Sequence, residues 1–278
     1  MSTPSHRPRK RFGQNFLQDR GIIDAIVSAI NPLPGDNLIE IGPGLGALTL
    51  PLLAHCQHLT IIELDRDLAA RLVEQQRTGQ LPDPERLRII NADALKTDFH
   101  TLAKSNNDPD AETAQRLRVV GNLPYNISTP LLFHLLKFNH DIADMHFMLQ
   151  REVVDRIVAE PGSKQYGRLT VMIQACCEAE PLLDVPPEAF NPAPKVQSAV
   201  VRLAPRTQTH ELAGSEVLER VTREAFSKRR KTLRNSLAPL LTSAEMEIAS
   251  VDPRARADAL TLDDYLRLAQ IVSNRERS

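Results

Sequence analysis

The chain has 278 residues and a formal net charge of −1, with 34 basic against 35 acidic side chains. That balance excludes a polycationic nucleic-acid coat and a strongly acidic solvating protein. An apolar fraction of 42% with 25% charged residues belongs to a folded globule, long enough for one large domain or one large and one small.

The N-terminus is basic through Arg7, Arg9, Lys10 and Arg11, with no apolar signal region after it. From Gly21, the residues Ile22, Ile23, Ile26, Val27 and Ile30 fall on one face of a predicted helix. Pro32, Pro34 and Gly35 break the chain before a short buried strand at Leu38–Ile41. The stretch Ala47–Cys56 reads as helix, Leu59–Leu64 as strand, Asp67–Arg77 as helix and Leu87–Ile90 as strand. A polar stretch, Lys104–Gln115, is an expected exposed loop. Strands follow at Leu117–Val120 and His146–Leu149, with helical Pro130–Phe138 between them. Helices are expected over Arg151–Ala159 and Leu169–Ala179, then strands at Pro181–Val185 and Ser198–Leu203 that are free to pair antiparallel at an edge. After Pro205 the β signal stops, and the final helix is expected to start at Thr261 with a capping box to Asp264.

Apolar strands alternating with helices predict an α/β fold with a mostly parallel, doubly wound sheet. The expected organisation is a basic tail over 1–11, the α/β domain over 12–205 and a small helical domain over 206–278. No run approaches the ~18 apolar residues of a membrane span, so no membrane partner is expected. The cysteines, Cys56, Cys176 and Cys177, show no CxxC spacing. Neither a disulfide framework nor a thiolate metal site is expected, and a reducing cytoplasm fits best. His55 and His58 beside Cys56 read as surface residues at a helix end, and no metal is expected.

Three of the 11 glycines, Gly42, Gly44 and Gly46, fall between a strand and a helix and, with Ala47, satisfy a dinucleotide fingerprint. Glu63 ends the next strand about 20 residues on, where an acid would meet ribose hydroxyls. Strand, loop and acid together predict an adenosine-containing cofactor. Glu40 lies inside an otherwise apolar strand, which is costly unless the carboxylate has a task. It either orients the glycine loop or receives the cationic end of a ligand, such as the sulfonium and ammonium end of S-adenosylmethionine. Asp93 reads equally as acceptor for an adenine amino group and as a helix N-cap.

The segment Gly121-Asn122-Leu123-Pro124-Tyr125 leaves a strand at the carboxyl edge of the sheet, where open α/β sheets bind ligands. The exocyclic amine of adenine is a poor nucleophile because its lone pair is delocalised into the ring. The Asn122 oxygen and a loop carbonyl can hold its two N–H groups and aim the lone pair at a methyl donor. Tyr125 can stack on the extruded base.

Together, Gln14-Asn15-Phe16-Leu17, Glu40 to Gly46, Glu63-Leu64-Asp65, Asp93 and Gly121 to Ser128 closely resemble the KsgA/RsmA-type small-subunit ribosomal RNA adenine dimethyltransferases. The likeness extends over roughly Arg9 to Leu237, through the FNPAPKVQSAVVRL and FSKRRKTLRNSL stretches. It implies a Rossmann-like methyltransferase domain, a small helical C-terminal domain, S-adenosylmethionine as donor and a monomer acting on 16S rRNA within the small subunit or its precursor. It also implies dimethylation at N6 of two adjacent adenosines in the 3′-terminal hairpin. Carried over by position, Asn15, Leu17, Gly42, Gly44, Glu63, Asp93 and Asn122 would line the cofactor site. Asn122, Leu123 and Tyr125 would meet the target adenine, with Phe190 on its other face.

Arg223 to Arg234 holds six bases and one acid, densest at Lys228-Arg229-Arg230-Lys231. Beside such a site, Arg229, Arg230 and Lys231 are expected to contact RNA phosphates. The chain has no Trp and only 3 Tyr, which argues for recognition of shape and backbone with one flipped base. Three other readings stand: a DNA adenine methyltransferase, a nicotinamide oxidoreductase, and a non-catalytic assembly factor that holds immature subunits.

Overall fold

The computed structural model describes residues 15–82, 84–105, 115–207, 210–228 and 230–277. The N-terminal bases, Gln14, most of the polar stretch at 104–115 and Arg229 lie outside the described residues.

A two-residue strand β1 (Phe16–Leu17) precedes α1 (Arg20–Ile30), which Asp19 caps by accepting from the Ile22 N–H at 3.0 Å. The helix stops at Asn31 in the left-handed region, which Asn tolerates. Every residue of β2 (Asn37–Ile41) is buried, as expected of a central parallel strand. α2 (Thr49–Leu53) is shorter than the Ala47–Cys56 run suggested, because the turn of the glycine loop continues through Leu48. β3 (Leu59–Glu63), α3 (Arg66–Arg77) and β4 (Leu87–Asn91) follow as read from the sequence. Then come a 3-10 turn at Ala94–Lys96, α4 (Phe99–Ser105), β5 (Leu117–Asn122), α5 (Ser128–Leu135) and β6 (Ile142–Gln150).

Beyond β6 lie α6 (Arg151–Ile157), α7 (Arg168–Cys176), β7 (Cys177–Val185), β8 (Phe190–Asn191) and β9 (Ser198–Pro205). The sequence pattern predicts helix as far as Ala179, but the chain turns extended at Cys177 (φ −132°, ψ 151°) and enters the sheet. Pairing beside β9 decides the conformation of these residues, an instance of tertiary context overriding local pattern.

The main sheet has seven strands in the order β4-β3-β2-β5-β6-β9-β7. The pairs from β4 through to β6 are parallel, and β9 runs antiparallel to β6 with β7 outside it. From β2 the chain winds outward through β3 and β4, then returns to the other side of β2 for β5. That reversal is a topological switch point, where the carboxyl ends of adjacent strands splay their loops apart and leave a crevice. The glycine loop follows β2 and the Asn122 segment follows β5, so motifs distant in sequence become neighbours. A separate ladder pairs β1 with β8, Phe16 opposite Asn191 and Leu17 opposite Phe190.

The chain divides into two compact units: 1–151 with 180–203, and 152–179 with 204–278. In the first, Ile26, Val27 and Ile30 of α1 pack with Leu52, Leu38, Ile61 and Val120 in one apolar cluster. In the second, α8 (Glu216–Phe226), α9 (Leu233–Ser236), α10 (Ser243–Ile248) and α11 (Leu262–Arg277) join residues 152–179. Its centre is aromatic: Phe226 stacks on Tyr265 at 5.7 Å, and the buried Tyr265 hydroxyl donates to the Ala257 carbonyl at 2.6 Å. Thr261 and Asp264 form the expected capping box of α11.

Candidate active site

At the switch point lies a cavity of about 300 Å³. Asn15, Leu17, Gly42, Gly44, Glu63, Asp93, Asn122, Leu123, Tyr125 and Phe190 all line it, so the site residues expected of the α/β domain are brought to one space. Arg230 and Lys231 lie in the second unit and are exposed.

The loop begins where β2 ends. Gly42, Gly44 and Gly46 have φ of 68°, 59° and 85°, a region that side chains with a Cβ rarely adopt. At Gly44 a Cβ would also stand 3.2 Å from the Phe16 ring. The N-terminal strand therefore rests on the bare backbone of the loop. Glu63 reaches into it as well: its Oε2 accepts from Gly44 N–H at 3.3 Å and its Oε1 from Asp65 N–H at 2.8 Å. Burial pushes the Glu63 carboxyl above its ordinary range, and these backbone donors draw it partly back.

Glu40 is deeper. Its Oε2 accepts from the Thr49 hydroxyl at 2.7 Å, which ties the start of α2 to the carboxyl end of β2 across the glycine loop. The carboxylate thus has the loop-orienting task considered from the sequence, and it lines the cavity too. Burial, assisted by the charge of Glu63 and opposed by the Thr49 bond, raises its pKa to about 7. Asp93 is the N-cap of the 3-10 turn, its Oδ1 accepting from Leu95 N–H at 3.0 Å, and the residue also lines the cavity.

The cavity's charge is one-sided. Among the described lining residues are Glu40, Glu63, Asp65 and Asp93, and no Lys, Arg or His. A pyrophosphate would face four carboxylates with no side-chain cation to balance it. A ligand with hydroxyls and a cationic end meets acceptors instead, which argues against the nicotinamide reading.

The opposite wall is the corner after β5. Asn122 donates its side-chain N–H to the Asn15 carbonyl over a long 3.4 Å, an orientation that turns Oδ1 the other way and leaves it available as an acceptor. Two loop carbonyls are already engaged, Pro124 by Ile127 N–H at 3.1 Å and Tyr125 by the Ser128 hydroxyl at 3.1 Å. The Leu123 carbonyl accepts no hydrogen bond among the described residues. Tyr125 is half-buried, its hydroxyl sharing a 2.8 Å hydrogen bond with Ser198, and burial raises the phenol's pKa. Phe190, nearly buried, stands on the β8 side of the same space. Sequence reasoning missed Thr49, which meets Glu40 across the glycine loop, and Ser198, whose partner Tyr125 lies far along the chain.

Counted along the chain without β1 and β8, the sheet order is 3-2-1-4-5-7-6. With an acidic crevice of about 300 Å³ at its switch point, this topology defines a Rossmann-like methyltransferase. Comparison with known proteins narrows the class. Residues 5–274 match the family model described as ribosomal RNA adenine dimethylase. The ribosomal RNA small subunit methyltransferase A of Acinetobacter baylyi is 55% identical over 265 residues, 95% of this chain and 92% of that one. Its counterpart in Yersinia pestis is 54% identical over 269 residues, 96% of this chain and 94% of that one. Among solved structures, a dimethyladenosine transferase from Plasmodium falciparum superposes with TM-score 0.71 at 24% identity, covering 91% of this chain and 95% of that one. The 23S rRNA methyltransferase ErmE does so at 0.65 and 26%, covering 93% and 100%. The chain belongs to the ribosomal RNA adenine dimethylase family. No helix among the described residues is long and apolar enough to cross a membrane.

Proposed function

We propose that the chain transfers methyl groups from S-adenosylmethionine to N6 of two adjacent adenosines in the 3′-terminal hairpin of 16S rRNA, dimethylating each. When bound, S-adenosylmethionine supplies an electrophilic methyl group carried on a cationic sulfur. Glu63 would hold its ribose hydroxyls and Asp93 its adenine amino group. Asn15, Leu17, Gly42 and Gly44 would enclose it, Gly44 by having no side chain. The Asn122 Oδ1 and the Leu123 carbonyl would accept the two N6 hydrogens of the target base, pyramidalising the nitrogen and aiming its lone pair. Tyr125 and Phe190 would hold the base between their faces. No strong base is needed, since the N6 proton can leave to solvent after transfer.

The observation that carries this reading is one cavity holding both a cation-free cluster of carboxylates and the Asn122–Tyr125 corner. The exposed Arg230 and Lys231, with their neighbour Arg229, suit RNA phosphates, and the partner is the small subunit or its precursor. A monomer working in the cytoplasm fits this role.

Incubation with labelled donor and under-methylated small subunits should label two adjacent adenosines twice each. Asn122→Ala should lower turnover by about a hundredfold while leaving subunit affinity nearly unchanged. Label on cytosine or protein, or equal losses of turnover and affinity, would overturn the reading.

A further inference from the structure

Stacking needs only an aromatic face, and a phenylalanine would supply one. At position 125 the chain instead places a tyrosine, whose half-buried hydroxyl needs a partner. That partner is Ser198, itself fully buried.

Ser198 does not belong to the corner that carries Tyr125. It opens β9 and pairs in register with Gln150 of β6. Its neighbour Gln197 accepts from the Arg151 N–H at 2.9 Å, so this strand end is fixed to the sheet on both sides of the hydroxyl. At the other end of Tyr125, the Ser128 hydroxyl fixes the backbone carbonyl. The tyrosine is thus held at its backbone by the corner and at its ring tip by the sheet. A tyrosine ring has two side-chain torsions. With the Cα and the hydroxyl oxygen both fixed, the first torsion and the long axis of the ring are set before any base arrives; the second torsion turns the ring about that axis without moving the oxygen, and is biased by the preference of a phenol O–H for the plane of its ring.

We propose that Ser198 is a positioning residue for methyl transfer: by holding the Tyr125 hydroxyl, it fixes the ring against which the extruded adenine stacks. This rests on the reading of Tyr125 given above. Ser198 touches neither the base nor the donor. Its contribution is orientation, which is felt once the base has entered the cavity and therefore in turnover more than in binding.

The chain's composition makes the tether observable, because it has three Tyr and no Trp. Full-length protein labelled with 3-fluorotyrosine should give one fluorine resonance per tyrosine, that of Tyr125 being identified by its loss in Tyr125→Phe. In Ser198→Ala, the Tyr125 resonance should move while those of Tyr166 and Tyr265 stay. Single-turnover methylation of under-methylated small subunits should slow by about threefold to tenfold, the worth of one neutral hydrogen bond. Tyr125→Phe should slow it by the same factor, and the double variant no further, with S-adenosylmethionine affinity unchanged in all three. A wild-type rate in Ser198→Ala, multiplying effects in the double variant, or weakened donor binding in Ser198→Ala would overturn the proposal. Tyr125→Ala separates the two layers. If it is slow while Tyr125→Phe and Ser198→Ala are fast, only the tether fails. If it is as fast as wild type, the stacking role of Tyr125 fails and the tether with it.

Discussion

Gly121 is where two strands approach too closely for a side chain. A Cβ built on it would lie 2.5 Å from the Ile41 carbonyl oxygen and 3.1 Å from a Leu123 methyl. Its backbone is not left-handed, so contact rather than conformation demands glycine. Gly121→Ala must push β5 away from β2 at the switch point, since the nearest atom is backbone and cannot rotate aside. Overpacking of this kind costs about 1–3 kcal/mol, and a urea titration should show the midpoint fall with the slope unchanged. Methylation should fall further than stability, because Asn122 is the next residue. An unshifted midpoint would mean that the sheet absorbs the methyl group elsewhere. From the sequence, Gly121 was legible only as part of a motif, because its reason lies in a distant carbonyl. Glu40 was legible as an anomaly, a carboxylate in an apolar strand. What resolves it, the Thr49 hydroxyl, sits in a helix start that local pattern does not flag.

Among elements, one arginine ties the end of α1 to the sheet, beside the apolar face that packs on it. The five N–H groups of Arg118, in β5, meet five acceptors: both Asp144 oxygens at 3.0 Å, Asp36 at 2.5 Å, and the Ile30 and Asn31 carbonyls at 2.6 and 3.1 Å. The last two are orphan carbonyls at the end of α1, so the guanidinium caps the helix while pairing with two largely buried carboxylates. Removing it strands both charges. Arg118→Met should cost about 3 kcal/mol in urea unfolding, and Arg118→Lys should recover less than half, since three donors on a point charge cannot serve a planar fork. A loss below about 1 kcal/mol would show that water replaces the network readily. The strand itself was legible from Leu117 to Val120, but the partners of Arg118 come from three other segments. For the same reason the β1–β8 ladder, too short for any periodicity, and the switch from α7 to β7 at Cys177 emerge only with their neighbours in place.

For the molecule as a whole, the alternation of strands and helices made the α/β architecture readable. The grouping of residues 152–179 with the C-terminal helices was not, because it depends on packing between distant segments. Stability against pH is likewise a property of the whole chain, here shaped by two buried groups with opposite leanings. Glu40 is raised from 4.5 to about 7, chiefly by burial. Between those values the native state keeps a proton that the unfolded chain releases, so stability falls as pH rises through the window. His146 is lowered from 6.5 to about 4, again chiefly by burial, with Arg118 and Arg202 assisting and Asp144 opposing. Among the described residues, neither of its ring nitrogens has a hydrogen-bond partner. As pH falls through that second window the unfolded chain takes up a proton that the native state refuses, and stability falls. The windows overlap from 4.5 to 6.5, where the two slopes oppose each other. Single variants should expose each half. Relative to wild type, Glu40→Gln, which can still accept from Thr49, should gain stability as pH rises from 4.5 to 7, by up to about 3 kcal/mol. His146→Leu should gain by a similar amount as pH falls from 6.5 to 4, and the double variant should restore the wild-type slope within the overlap. Urea unfolding at half-unit intervals of pH measures all four curves; if both single variants ran parallel to wild type, these two groups would not set the acid–base balance of the fold.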